Sequence, residues 1–367
     1  MMMSKIEKAK ILIQKNEQKL EISFFILGFL FDIMTLSSVD DTFGLVQQVL
    51  YLWIIGSFLY FDTLEKAQLW QPQKWLLKIW QYRSLILHFL LGSLLSLYSL
   101  FFIKSSSLFS SFIFILFLLA LLVMNEMSFV QKGNLSVKTG FFVLCLFSFF
   151  SLVVPTFLGF VGWIPFLLSL ALTLGVLFLI FKKLQKKLVD PRQLFRSLMG
   201  PSLGVLSVFT LFYVLGWVPP VPLSVKYMGV YHDIKVQNGQ YELKYQRDSW
   251  KFWQNGAQNF KAYPGDKLVL FTQVSSPSKF SDQVIYHWSL YSKKKGWVTQ
   301  DKIPIQVKGG RQNGFRGYGV KQNFVAGEWR VLVETTHGRE IGRIYFDVEK
   351  LNEVVDPAVR EFKTDFF

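Results

Sequence analysis

Seven apolar stretches occupy the first 217 residues, at 20–39, 44–61, 84–103, 108–124, 140–160, 163–181 and 198–217, with most polar residues in the gaps between them. About 20 mostly apolar residues cross a hydrocarbon core as a helix, so the pattern predicts seven transmembrane helices. Past residue 217 the period changes. Val230, His232, Ile234 and Val236 alternate with Tyr231, Asp233 and Lys235, and Asn238-Gly239 turns the chain back into Tyr241, Leu243 and Tyr245. That is a hairpin with a two-residue turn. Further alternating sets are Val284, Tyr286, Trp288 and Leu290, then Ile303, Ile305 and Val307, then Trp329, Val331 and Val333, then Ile344, Phe346 and Val348. With the apolar run 268–274 they predict seven or eight short strands in a two-sheet sandwich of immunoglobulin-like architecture.

The expected organisation is a basic N-terminus at 1–19, a seven-span bundle at 20–217, a linker at 218–226, an all-β sandwich domain at 227–350 and a charged tail at 351–367. Pro219, Pro220 and Pro222 predict a short extended spacer in the linker, and the tail has room for a short amphipathic helix.

Charge orients the bundle. Seventeen of the eighteen Lys and Arg residues before position 218 fall before the first stretch or after the second, fourth and sixth; only Lys104 lies in another gap. Basic residues stay cytoplasmic during insertion, so the N-terminus is expected inside and the sandwich exported. Glu21 and Asp32 interrupt the first stretch, but if it did not cross, five lysines would lie outside against the rest of the pattern. No small-residue cleavage site follows it, which argues against a signal peptide. A hydrophobic fraction of 51% with 38 Phe fits this class. The net charge of +15 follows the topology rule and attraction to anionic lipid, so nucleic acid is not an expected partner. The single cysteine, Cys145, lies in the fifth stretch, and the exported part therefore has no disulfide.

Some residues carry a resemblance. Gly28-Phe29, Phe31-Asp32, Thr35-Leu36, Asp40 and Asp41, the exit from Pro219 to Ser224 before Tyr231-His232, and then His287-Trp288, Arg316, Lys321, Gly327, Trp329, Val331 and Gly338 to Phe346 are similar to an uncharacterised family of bacterial polytopic membrane proteins. Those proteins end in an exported domain of unknown function 2914. The chain departs from the family's common pattern at Ser37 to Val39 and at Gly317-Tyr318-Gly319. The resemblance implies a multi-pass protein of the bacterial cytoplasmic membrane, with the β domain periplasmic, and it implies no activity.

Candidate chemistry is sparse. Asp32 is an ionisable group inside a span, a costly placement that marks functional candidates; with His88 it would suit a proton or cation path, whereas hydration near the interface or a bond to a neighbouring helix is the commoner arrangement. Gly200-Pro201-Ser202-Leu203-Gly204 spells G-x-S-x-G, but that chemistry needs a strand-to-helix elbow, and here the motif opens a span. His88, His232, His287 and His337 have no ligand spacing, so no metal and no cofactor are expected. His232 reads as a hydrogen-bonded core residue. In the β region, 247–265 sets Trp250, Phe252, Trp253, Phe260 and Tyr263 among Arg247, Lys251 and Lys261. Such aromatics can stack on sugars or rest among lipid headgroups, although covering the open end of a sandwich is commoner. A glycine-rich loop from Gly309 holds Arg311, Arg316, Tyr318 and Lys321, whose cations could grip a carboxylate or phosphate; a solvated basic hairpin is the simpler reading.

The preferred expectation is a non-enzymatic integral membrane protein whose exported sandwich binds an envelope protein or glycan. The alternatives are an ion-coupled transporter centred on Asp32, with the sandwich as a regulatory cap, and an enzyme acting on lipid-linked substrates, for which Asp40 and Asp41 are the available outer acids. The lipid bilayer is the one partner common to all three, and oligomeric state leaves no mark in the sequence.

Overall fold

Helix follows apolar composition through the N-terminal half of the chain. The computed structural model describes residues 39, 41–125, 127, 135–187, 191–309, 314–351 and 360–367. The helices are α1 (Thr42–Lys66), α2 (Leu77–Trp80), α3 (Arg83–Lys104), α4 (Leu108–Asn125), α5 (Leu135–Leu158), α6 (Trp163–Gln185), α7 (Pro191–Leu194) and α8 (Gly200–Val214), the last entered through a π-helical turn at Phe195–Met199. Among the described residues five are long and apolar enough to cross a membrane: α1, α3, α5, α6 and the helix from Phe195 to Val214. Seven spans were expected. The stretch 108–124 forms a shorter apolar helix, and 20–39 lies outside the described residues apart from Val39.

The helix ends overrun the apolar stretches because polar residues there find partners. The Asp41 carboxylate caps α1 by accepting the Gly44 N–H at 3.0 Å. At the other end Asp62 is buried and pairs with Lys66, one turn on, at 2.9 Å. The π-helical turn, closed by the Gly200 N–H on the Phe195 carbonyl, precedes Pro201, which has no N–H to give the helical ladder.

Packing divides the chain into two compact units. One comprises Met1–Ile103, Phe112–Val154 and Phe166–Val218, and the other Lys104–Ser111, Pro155–Pro165 and Pro219–Phe367. The second is the β domain, and two turns from between helices belong to it. Within this unit Gly159 accepts the Ser281 N–H at 2.9 Å, Val161 joins the apolar core, Glu340 takes the Ser107 hydroxyl, and Arg343 lies 4.5 Å over the Phe109 ring.

Eleven described strands build the domain: β1 (Ser224–Tyr231), β2 (Asp233–Gln237), β3 (Gln240–Tyr245), β4 (Asn259–Ala262), β5 (Leu268–Ser275), β6 (Ser281–Ser292), β7 (Gly296–Lys308), β8 (Phe315–Lys321), β9 (Gly327–Thr335), β10 (Glu340–Lys350) and β11 (Lys363–Phe366). They form sheets ordered β1-β5-β8, β4-β10-β9-β6-β7 and β11-β3-β2. Pairing is antiparallel except β4 on β10. The first two sheets meet face to face: the Thr272 and Tyr286 hydroxyls bond across the gap, and a side chain at Gly342 would meet Val225 at 3.1 Å. Between them lie Val230, Tyr286, Trp288, Trp329, Val331 and Phe346, whereas Tyr231 and Phe271 are buried on the other face of the first sheet, toward β3 and β11.

Several expectations are corrected here. The alternating run 230–236 is two strands, because β1 and β2 belong to different sheets and His232 sits at the break. The hairpin at Asn238-Gly239 forms as expected, both residues having positive φ (51° and 79°). The region 314–321, expected as part of a loop, contains β8. Gly317 and Gly319 point one face of that strand at Tyr286, where a Cβ would come within 3.1 Å of the hydroxyl and 2.9 Å of the ring respectively. Those glycines make room for an aromatic on the opposite sheet. The linker is a buried turn, with Val221 and Leu223 N–H groups donating to Pro219 and Pro220. In the tail, the described part from Arg360 ends as β11 on β3, not as a helix. Tyr231 ties it down through a 2.9 Å bond to Asp365, and Phe367 packs 4.6 Å from Tyr227.

Candidate functional site

The most exposed apolar cluster of the β domain is the loop between β3 and β4. Its base is pinned. Gly256 bridges Val230 so closely that a Cβ would sit 2.2 Å from the Val230 carbonyl oxygen, and Ala257 donates its N–H there at 2.7 Å. On the other side Lys363 donates to the Arg247 carbonyl at 3.1 Å and the Ser249 hydroxyl at 2.8 Å, while Arg247 lies over Tyr245 at 4.9 Å and bonds the Gln254 carbonyl. From this base the tip presents Trp250, Phe252 and Trp253 at 64%, 81% and 58% exposure. They meet edge to face, both contacts to Trp253 at 5.3 Å, and Lys251 lies 5.3 Å from the Trp250 ring while pairing with Asp248 at 3.0 Å. These three rings do not cover the sandwich. Phe260, by contrast, is a core residue of β4, and Tyr263 is half-buried.

Tyr263 belongs to a different cluster. Asp266 accepts its N–H at 3.0 Å and receives the Arg360 guanidinium on both oxygens at 2.8 and 2.9 Å, and Arg360 stacks on the Tyr263 ring at 4.0 Å. His232 completes it, stacked 3.9 Å on Phe260 with Nδ1 3.6 Å from Asp266. His232 is buried as expected, but that separation is too long for a direct hydrogen bond. Beside the cluster Lys267, Gln322, Phe324 and Lys350 line a cleft of about 460 Å³.

The basic candidates near β8 are taken up by the fold. Lys321 is buried, paired with Asp301 and 5.5 Å over the Trp329 ring. Arg316 donates to the Gly239 carbonyl at 3.4 Å, and Tyr318 is exposed 6.5 Å from Tyr241. Arg311 lies outside the described residues. A two-cation grip is thus not assembled from Arg316 and Lys321.

One constellation escaped sequence reading. Across β9, β6 and β7, Glu334 contacts His287 Nδ1 at 3.0 Å and His287 Nε2 contacts the Thr299 hydroxyl at 2.7 Å. A buried carboxylate, an imidazole and an exposed hydroxyl in line resemble the order of a nucleophilic triad. Thr299 and His287 stand in paired strands, His287 on the face opposite the core residue Trp288, and the arrangement acts as a cross-strand hydrogen-bond ladder. His287 and Glu334 are 47 residues apart and only sheet register joins them.

In the helical unit, Asp32 lies outside the described residues, and His88 is half-buried in α3. Ser202 of the G-x-S-x-G segment is buried and donates to the Leu198 carbonyl at 2.6 Å, a helix back-bond and not an activated nucleophile. The polar cluster that does form there was not anticipated: Arg83 reaches Asp62 at 3.1 Å and Glu65 at 3.2 Å. Among the described residues no three His, Cys, Asp or Glu groups converge as a metal site.

No curated protein is significantly similar to the chain. Among solved structures, an immunoglobulin-like protein from Pseudomonas aeruginosa aligns at 16% identity over 32% of this chain and 97% of that one, with a TM-score of 0.20. A β-glucosidase from Kluyveromyces marxianus aligns at 12% identity over 34% and 14%, TM-score 0.17. An alkylpurine DNA glycosylase from Pseudomonas fluorescens aligns at 8% identity over 85% and 99%, TM-score 0.18. Scores this low transfer neither topology nor activity. The sequence match is narrower than the resemblance traced from Gly28 onward: residues 281–348, spanning β6 to most of β10, match the family described as Protein of unknown function (DUF2914).

Proposed function

We propose that the chain is a non-enzymatic multi-pass membrane protein whose β domain, an immunoglobulin-like sandwich on the extracytoplasmic side, holds a glycan or protein of the cell envelope through its 247–253 loop. The observation that carries the reading is the exposure of Trp250, Phe252 and Trp253 on a loop whose base is fixed by Gly256 and Lys363. Rigid aromatics offer large contact area at little entropic cost on binding. Charge supports the orientation. The turns 104–111 and 155–165, which belong to the β unit, are the gaps the positive-inside rule assigns to the outer face, and they hold only Lys104.

The test is photo-crosslinking in cells, with a benzoylphenylalanine at position 252 of the full chain, followed by mass spectrometry and glycan staining of adducts. A discrete adduct that is lost when Trp250 and Trp253 become Ala, with unchanged membrane level and melting temperature, is expected. Crosslinks unaffected by that double substitution would overturn the reading.

A further inference from the structure

A second aromatic cluster lies in the helical unit, where the chain turns from α1 into α3. Trp70, Trp75 and Trp80 recur every five residues there, with Lys74 and Lys78 between them. Trp80 is buried, 4.9 Å edge-on to Trp70 and 5.7 Å from Phe58; Trp70 packs 4.7 Å from Phe61. The floor is held in place by polar bonds, because the Trp80 indole donates to Glu65 at 2.8 Å and Arg83 lies 5.0 Å over its ring. Trp53 and Trp75, 69% and 70% exposed, form the two rims. Together these side chains enclose a groove of about 400 Å³, within the usual range for a small-molecule site.

Charge around the groove is sorted. Both nearby acids are already engaged, Asp62 with Lys66 and Arg83, and Glu65 with Arg83. Lys74 and Lys78 are exposed and adjoin the lining residues in sequence, Lys74 between Gln73 and Trp75 and Lys78 between Leu76 and Trp80, and no described carboxylate lies within ion-pair distance of either. An apolar slot with two exposed lysines in the segment that lines it, at the end of a helix long enough to span a bilayer, matches an amphiphile with an anionic head.

We propose that this groove is a binding site for an anionic glycerophospholipid of the adjoining leaflet, one acyl chain lying between Trp53 and Trp75 and the phosphate between Lys74 and Lys78. A zwitterionic lipid would fill the slot equally well but bring its own cation against the lysines. The site therefore selects on head-group charge, and binding here is separate from the β-domain loop.

Native mass spectrometry of the full chain in detergent tests this, titrating 1-palmitoyl-2-oleoyl-phosphatidylglycerol against the matching phosphatidylcholine. Phosphatidylglycerol should be retained roughly thirtyfold better, on the order expected for two lysines at a lipid surface. Lys74→Gln with Lys78→Gln should erase that preference while leaving phosphatidylcholine retention unchanged. Trp53→Ala with Trp75→Ala should lower retention of both lipids; all four residues are exposed, and melting temperature checks that each variant is folded. Equal retention of the two lipids by the native chain, or a preference that survives the lysine substitutions, would overturn the proposal. So would lipid retention unchanged by the tryptophan substitutions.

Discussion

Asp266 shows how a single side chain organises the β domain. Burial by itself would raise its carboxyl, but the nearby His232 ring and the hydrogen bonds from the Tyr263 N–H and Arg360 outweigh burial and hold it below the ordinary value of 3.8. A carboxylate with a depressed folded-state pKa stabilises the fold above its unfolded value, and that contribution is lost as pH falls through the folded one. Asp266→Asn should lower stability by about 3 kcal/mol near neutral pH, because the guanidinium of Arg360, with a side chain 4% exposed, loses the carboxylate it holds through both oxygens. The gap between wild type and variant should close as pH drops below 3.8; thermal unfolding of the full chain in detergent across pH 3 to 7 measures it, and a constant gap would contradict the assignment. Little of this cluster was legible. Alternation put His232 on an apolar face, but Asp266 and Arg360 stand 94 residues apart and no local pattern couples them.

Among the elements, β8 is the instructive case. Glycines at 317 and 319 share one face of a strand, yet glycine also marks turns, and the sequence offers no way to choose. The choice is made by Tyr286 on the opposite sheet, whose ring fills the space a Cβ would take. Gly319→Ala should therefore cost about 2 kcal/mol by overpacking and become nearly neutral in a Tyr286→Val background. A double-mutant cycle on the unfolding transition checks this; additive effects would mean that the ring is not the obstacle. The strand at the end of the tail was illegible for a related reason. Four residues of β11 are too few to display a period, and their strand state depends on β3, Tyr231 and the packing of Phe367. The aromatic loop was recognisable from composition, but exposure separates Trp250, Phe252 and Trp253 from Phe260 and was decided by how Gly256 seats the loop on Val230.

For the whole molecule, the proposed orientation has a direct consequence. Cys145, the only cysteine, is fully buried and can be replaced by Ser to give a silent background. A cysteine at Lys293, in the exposed β6–β7 turn, should react with an impermeant maleimide on intact cells, whereas one at Gln71 should react only after permeabilisation; the reverse pattern would invert the topology. Long-range order divides what sequence and structure each decided. Apolar length and strand alternation are local properties, because a span must satisfy its own backbone in lipid and a half-buried strand must alternate. They were enough to place the five long helices, the change to β structure after residue 217 and the Asn238-Gly239 hairpin. Sheet membership, the seating of 104–111 and 155–165 in the β unit, and the engagement of Lys321 by Asp301 came from tertiary structure. Each joins residues far apart in the chain, and which of many equally apolar or equally charged partners meet is decided by packing, where shape and burial discriminate and composition does not.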